Sequence, residues 1–481
     1  MAANRRNDLV RTAPLFPLAL ALSLALGAPL VAQPLPAPGP PTAELFAGHR
    51  QAFMEQMEGG IAIFTSQPEI ARNGDAGYFY RQDSDFYYVS GFVEPEAVAI
   101  LRPEAPEDEN FLLFVRPRDP EQEVWTGHRA GVEGAREIYG ADLAFVIDSL
   151  AAVLPRYLEG VERLYFDFSK DHPWAQVDQL AGFRDWAATS GAAILGTDAI
   201  IDEMRLGKGP EELALLQKAI DITIDAHRAA MAAIRPGMNE YEVGALIEYV
   251  FRKQGSPRVG FNSIIGSGPN STTLHYEANS RQMESEDMVV MDIGAEWAYY
   301  TADVTRTVPV DGRFGPEEAA IYQIVLDAQN AAMEVVRPGA TIRDVHARAV
   351  EVVTEGLVQE GLLQGTVQEN IASGAYRRFF MHGTSHWLGL DVHDVGSYSV
   401  PGTNSARVLE PGMVFSVEPG IYIAEGMQGV DPKWWNIGVR IEDDVLVTED
   451  GYRNMSDGAP REIAAIEALM VGRGVPQVVP E

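Results

Sequence analysis

Between residues 43 and 204, short apolar runs at 60–64, 97–101, 110–115 and 164–168 alternate with stretches of helical period. Runs of that length suit buried strands, and their alternation with helices predicts an α/β domain over 43–204. The segment Arg205-Leu-Gly-Lys-Gly-Pro-Glu-Glu then interrupts the pattern. Its glycines break the chain, and Pro210 suits the first turn of a new helix, where no backbone N–H is needed. From 211 to 234 apolar residues recur at helical spacing, which opens a second expected domain over 205–481. Inside it one pattern occurs twice. Arg235-Pro-Gly leads into Glu242-Val243, and Arg337-Pro-Gly leads into Asp344-Val345, at an offset of 102 residues. A helix, a turn and a second helix used twice suggest a duplicated domain whose halves face a central site.

The first 32 residues follow a different rule. Arg5, Arg6 and Arg11 precede an apolar stretch at 15–31, and Ala32 is followed by a proline-rich segment at 34–41. That order reads as a secretory signal peptide over 1–32, which implies an exported protein, periplasmic or secreted. No comparable apolar run follows, so the mature chain is not expected to sit in a membrane.

Composition narrows the chemistry. The 481 residues are 46% hydrophobic and 22% charged, ordinary for a globular protein of two domains. There is no cysteine, which excludes a thiol nucleophile, a cysteine-ligated zinc or iron–sulfur centre and any disulfide. Lys and Arg number 37 against 69 Asp and Glu, a formal charge of −32. Such a surface repels phosphate backbones and anionic lipid, so neither nucleic acid nor membrane is an expected partner.

Two features then ask for a cause. His382, His386 and His393 fall within twelve residues of a chain that holds nine histidines. Asp292, Asp303, Glu418 and Glu442 stand in or beside apolar runs, where an ionised carboxylate is costly unless paired or metal-bound. Arg306 and Arg440 alone would not neutralise four carboxylates; two divalent cations would. Oxygen-rich ligation with one imidazole suits hard or borderline ions, Mn2+ first. A pair of such ions activates water for hydrolysis. The chain carries no Gly-x-Ser-x-Gly elbow, His-Glu-x-x-His helix, Gly-Lys-Ser/Thr phosphate loop or Gly-x-Gly-x-x-Gly turn.

From about Glu44 onward the sequence resembles the aminopeptidase P branch of the pita-bread metallopeptidases. The resemblance rests on Leu274-His-Tyr, Val290-Met-Asp-Ile-Gly, Ala302-Asp-Val-Thr-Arg-Thr, Ser385-His-Trp-Leu-Gly-Leu-Asp-Val-His-Asp-Val-Gly, Val417-Glu-Pro-Gly and Val439-Arg-Ile-Glu-Asp-Asp, in that order. Tyr80-Arg-Gln-Asp-Ser-Asp-Phe and Ser90-Gly-Phe-Val-Glu-Pro-Glu-Ala extend it into the smaller domain. It implies an α/β (α+β) molecule: a pita-bread catalytic domain of two pseudo-twofold αβ halves, preceded by a smaller α/β domain. It also implies five metal ligands, Asp292, Asp303, His386, Glu418 and Glu442, with Asp303 and Glu442 bridging two ions. Glu418 would handle the proton of the attacking water. His275 and His393 match histidines that stabilise the developing oxyanion, and His382 matches a substrate-pocket histidine. Arg440 matches a residue linked to a bridging carboxylate. Asp75 and Trp125 fall in segments used at the site, Trp125 across a subunit contact of a dimer or tetramer. The implied substrates are peptides with proline second. The chain departs from the pattern at 397–407, a longer segment than the resemblance leads one to expect. Ser385 and Trp387 favour an aminopeptidase over a prolidase, and the complete ligand set disfavours a non-catalytic peptide-binding module or a metal-free amidinohydrolase.

Overall fold

The computed structural model describes residues 39–168 and 183–471, so the signal peptide expected over 1–32 lies outside the described residues. The N-terminal part is built on one mixed sheet. Its strands are β1 (Ile61–Thr65), β2 (Val98–Leu101), β3 (Phe111–Val115), β4 (Leu143–Val146), β5 (Arg163–Tyr165) and β6 (Ala193–Leu195), in the order β4-β3-β2-β1-β5-β6. Every residue of β1, β2 and β3 is buried, which is why these strands read as unbroken apolar runs. Strand β4 is half-buried and β6 exposed along its length, so neither carries a comparable run.

Helix α1 (Ser84–Ser90) begins where the Asp83 side chain accepts from the Phe86 N–H. Helix α2 (Asp198–Leu206) carries the chain past residue 204, and the break comes at Gly207. Helix α3 (Pro210–Ala233) then opens with Pro210 in its first turn, and the Glu212 carboxylate accepts from the Gly209 N–H. The described residues form one compact unit.

The C-terminal part repeats itself. Helices α3 and α4 (Glu240–Lys253) pack together and are followed by the antiparallel strands β7 (Ile264–Ser267), β8 (Met288–Ile293) and β9 (Val304–Pro309). Helices α5 (Pro316–Met333) and α6 (Ile342–Gln359) pack likewise. They are followed by β10 (Val414–Val417), β11 (Gly420–Ile423), β12 (Ile437–Arg440) and β13 (Asp443–Val447). The two turns between paired helices place Gly237 at φ 90° and Gly339 at φ 86°, a region that strains any L side chain. Each turn hands over to a capping box, Asn239 with Glu242 and Thr341 with Asp344. The sequence repeat is therefore a repeat of turn geometry and capping chemistry.

One apolar core unites both halves, with Ile247, Val289, Val325 and Phe415 fully buried in it; each such side chain contributes roughly 1.5–3 kcal/mol. A second core joins the N-terminal part to the C-terminal one, where Phe86 and Tyr87 meet Tyr299, Leu388 and Leu390. Tyr87 stacks on Tyr299 with ring centroids 3.9 Å apart.

Candidate metal centre

Each half of the duplicated part delivers carboxylates to one cleft of about 460 Å3. Asp292 lies in β8 opposite Thr305 of β9, and Asp303 immediately precedes β9. His386 lies on a segment stitched to β10 by Ser416, whose N–H donates to the His386 carbonyl at 2.9 Å. Glu418 follows β10 at once, with its N–H donating to the Thr384 carbonyl at 2.8 Å. Glu442 separates β12 from β13 and ties the halves together, its N–H donating to the Thr305 carbonyl at 3.1 Å.

All five side chains line the cleft. His386 Nε2 is 3.3 Å from an Asp303 oxygen, 3.8 Å from Glu418 and 3.8 Å from Glu442. Ligand atoms of Asp303, His386 and Glu442 lie within 4.8 Å of one another. Such crowding of buried anions shifts their protonation. Burial and the neighbouring Glu442 push Glu418 up to about 8. Burial and the charges of Glu442 and Asp292 hold Asp303 well above the usual carboxylate range. Burial also raises Glu442, against the hydrogen bond it receives from His386. For His386 burial favours the neutral ring, but contacts with Asp303 and Glu442 outweigh it and raise the imidazole well above its ordinary value.

These residues fit divalent cations. Asp292 Oδ1 and Asp303 Oδ1 are buried without a hydrogen-bond partner, an arrangement that a cation relieves. His386 Nδ1 is 3.1 Å from the Trp387 carbonyl, which can only accept, so Nδ1 carries the proton and Nε2 is the atom free to ligate. Neither arginine competes for the whole cluster. Arg306 is spent on Asp443 at 2.6 Å. Arg440 pairs with Asp292 at 2.6 Å. Arg440 therefore makes its direct carboxylate contact with Asp292. It reaches Glu442 only through Thr305, whose hydroxyl donates to Glu442 Oε2 at 2.7 Å.

Around this cluster lie the other histidines. His393 places its ring centroid 4.2 Å from that of His386, and burial followed by the His386 charge lowers its pKa. His275 lines the same cleft. His382 Nδ1 donates to the Gly383 carbonyl at 2.7 Å, and its Nε2 lies 2.9 Å from the Tyr422 hydroxyl. Arg440 donates to the same hydroxyl at 3.0 Å, so Tyr422 in turn donates to His382. Burial and the Arg440 charge push His382 down to about 4, which keeps this chain of hydrogen bonds in one protonation state near neutrality. Tyr422 and Thr305 were not visible as site residues in the sequence. A tyrosine or threonine in a strand is unremarkable there, and neither breaks an apolar run with a charge.

The Xaa-Pro aminopeptidase of Escherichia coli K12 is 41% identical to this chain over 433 residues, which covers 89% of the chain and 97% of the relative. The chain belongs to metallopeptidase family M24, on its aminopeptidase P branch. The description "Metallopeptidase family M24" matches residues 214–449, and "Aminopeptidase P, N-terminal domain" matches residues 46–165. The Xaa-Pro aminopeptidase of Haemophilus influenzae is 42% identical over 89% of this chain and 97% of its own length. Among solved structures, aminopeptidase PepP of Pseudomonas aeruginosa matches with a TM-score of 0.86 at 43% identity, covering 91% of this chain and 99% of that one. Aminopeptidase P from E. coli with the inhibitor Pro-Leu matches with a TM-score of 0.85 at 40% identity, over 90% and 99%.

Two residues that the family resemblance suggested stand apart from the cleft within one chain. Asp75 is exposed in the turn between Ala71–Asn73 and Ala76–Gly77. Trp125 is 83% exposed on the short helix Pro120–Thr126, which buries none of its residues. The long segment 397–407 also stays out of the cleft lining. Its Tyr398 stacks on Trp387 with centroids 5.5 Å apart, and its Arg407 pairs with Glu203.

Proposed function

We propose that the chain is a metal-dependent Xaa-Pro aminopeptidase, which releases the first residue of peptides whose second residue is proline. The observation that carries this reading is the convergence of Asp292, Asp303, His386, Glu418 and Glu442, with two buried carboxylate oxygens left without partners, in a chain 41% identical to a protein named for that activity. A prolidase is not favoured, since the solved relatives matched over 90% of the chain are aminopeptidase P structures, one of them in complex with substrate. The donor set of four carboxylates and one imidazole supports two ions, Mn2+ foremost.

Divalent ions held by these five residues would polarise the scissile carbonyl and lower the pKa of water. Within the chain itself, Glu418 accepts the proton of the attacking water at a carboxylate oxygen and passes it to the departing proline nitrogen. His275 and His393 donate to the oxyanion as the carbonyl carbon becomes tetrahedral. Tyr422 and Arg440 hold His382 and Asp292 in place. His382 spends both ring nitrogens on Gly383 and Tyr422 and so walls the substrate pocket.

Export through residues 1–32 and assembly into a dimer or tetramer belong to the same reading. The basic start with its apolar stretch supports the first, and exposed Val124 and Trp125, at 81% and 83%, support the second. The reading is tested by product analysis. An Xaa-Pro-Xaa tripeptide should be cut between residues one and two with higher kcat/KM than the matching Xaa-Pro dipeptide, and its N-acetylated form should resist. Efficient dipeptide cleavage with tripeptides ignored would make the chain a prolidase.

A further inference from the structure

The carboxylates of the cleft sort into two kinds. Asp292, Asp303, Glu418 and Glu442 belong to the ligand cluster, and Asp292 is further tied to Arg440. Glu277 is of the second kind. It lines the same cleft, is exposed, and is held by a neutral partner: Asn262 Nδ2 donates to Glu277 Oε2 at 2.9 Å. Asn262 is itself a cleft residue, so the amide fixes the carboxylate toward the cavity without neutralising it.

The local chain explains why Glu277 faces inward. Tyr276 turns to the other side, where its hydroxyl donates to buried Glu240 at 2.9 Å. Glu240 also accepts from Ser267 N–H and Arg281 N–H, both at 2.8 Å, which anchors this stretch to β7 and its surroundings. With Tyr276 pinned, its neighbours His275 and Glu277 are both presented to the cleft. Glu277 therefore stands two residues from a histidine assigned to the reacting peptide bond. A carboxylate there, oriented but without a cation among the described residues, lacks only a positive partner, and a bound peptide can supply one.

We propose that Glu277 is a specificity-determining residue that selects peptides with a lysine or arginine side chain beside the Xaa-Pro bond. This inference rests on the aminopeptidase reading and adds a substrate class to it. The cation sits either on residue one or on the residue after proline, and the ion pair is the same chemistry in both cases. Because the pair is formed in a partly open cleft, the gain is modest, about three- to fivefold in kcat/KM, and it shrinks as salt rises.

Four peptides test it with the Mn2+-loaded enzyme: Arg-Pro-Ala against Gln-Pro-Ala, and Ala-Pro-Arg against Ala-Pro-Gln. The wild-type enzyme should prefer the arginine member of one pair, and the pair affected locates the subsite. In Glu277→Gln that ratio should fall to near unity, and in Glu277→Lys it should invert. A ratio near unity in the wild type for both pairs overturns the proposal, as does a preference that survives both substitutions. Failure of all four peptides to be cleaved would instead count against the aminopeptidase reading itself, so the two failures are distinguishable.

Discussion

Asp303 and His393 stand within one cleft yet answer to different demands, and their removal should separate those demands. Asp303 has a buried oxygen without a partner and lies 3.3 Å from His386. Asp303→Ala should therefore lose bound metal and activity together. His393 meets the cluster through its ring beside His386. His393→Ala should keep most of its metal while turnover falls by roughly 10²–10³-fold, as for the loss of one oxyanion donor. Elemental analysis beside kinetics checks both, and equal metal loss in the two variants would place His393 among the ligands. Tyr422→Phe removes the hydroxyl shared by Arg440 and His382, and about a tenfold loss in kcat/KM with metal retained is expected for one buried hydrogen-bonding group. At this scale the charged ligands were legible in the sequence because a carboxylate inside an apolar run has a physical cost that demands a reason. Arg440 was legible as a partner, but which carboxylate it holds depends on how β8 and β12 meet in space.

The elements matter most where the N-terminal part grips the segment that carries His393. Arg205, at the end of α2, donates to Asp85 of α1 and to Asp391, both at 2.7 Å, and to Asp394. Lys208 adds a contact to Asp394 at 3.1 Å, and Arg81 donates to the Leu390 carbonyl at 2.6 Å. Four of these contacts fall on three residues that flank His393, namely Leu390, Asp391 and Asp394. Arg205→Gln leaves several carboxylates in and around a buried site without their cation, so a loss of about 3–5 kcal/mol in unfolding free energy is expected. The loosened segment should also lower kcat by about tenfold or more, with less effect on KM. Urea denaturation and steady-state kinetics check the pair, and Arg205→Lys should restore part of kcat if the role is positioning. The sequence showed β1, β2 and β3 because both faces of those strands are buried. It did not show β4 and β6, whose exposure removes the apolar signal, nor that α2 continues across residue 204, because a helix that sends Ile200 and Ile201 into one core and Leu206 into the other has no break in its own pattern. The grip on His393 was equally hidden, since Arg205 and Asp394 are 189 residues apart.

For the whole molecule, the duplicated helix pairs bring two sets of acidic residues face to face, and the fold carries a pH signature of that arrangement. Burial and the Glu442 charge raise Glu418 from 4.5 to about 8, and Asp303 and Glu442 move in the same direction. A carboxyl whose folded pKa is raised binds protons that the unfolded chain has released. Its contribution to stability is full below about 4.5 and is lost as pH rises through about 8. Bound ions replace those protons, so the rise in Tm on adding Mn2+ to chelated protein should be larger near about pH 8 than near about pH 5. Groups outside the site, such as His227, which burial and Arg306 push down to about 3, cancel in that difference. An equal rise at both pH values would mean that the carboxylates are not what the ions neutralise. The duplication was legible from two Arg-Pro-Gly turns, because glycine at positive φ and a capping box leave local marks, whereas the facing of the halves does not. The proposed assembly of the five residues is a dinuclear site for Xaa-Pro cleavage. It is tested most directly by chelating the protein, adding Mn2+ back in steps, and following bound metal and tripeptide hydrolysis together. No turnover is expected without metal, and recovery should be complete at two ions per chain. Full activity in rigorously metal-free protein would contradict it.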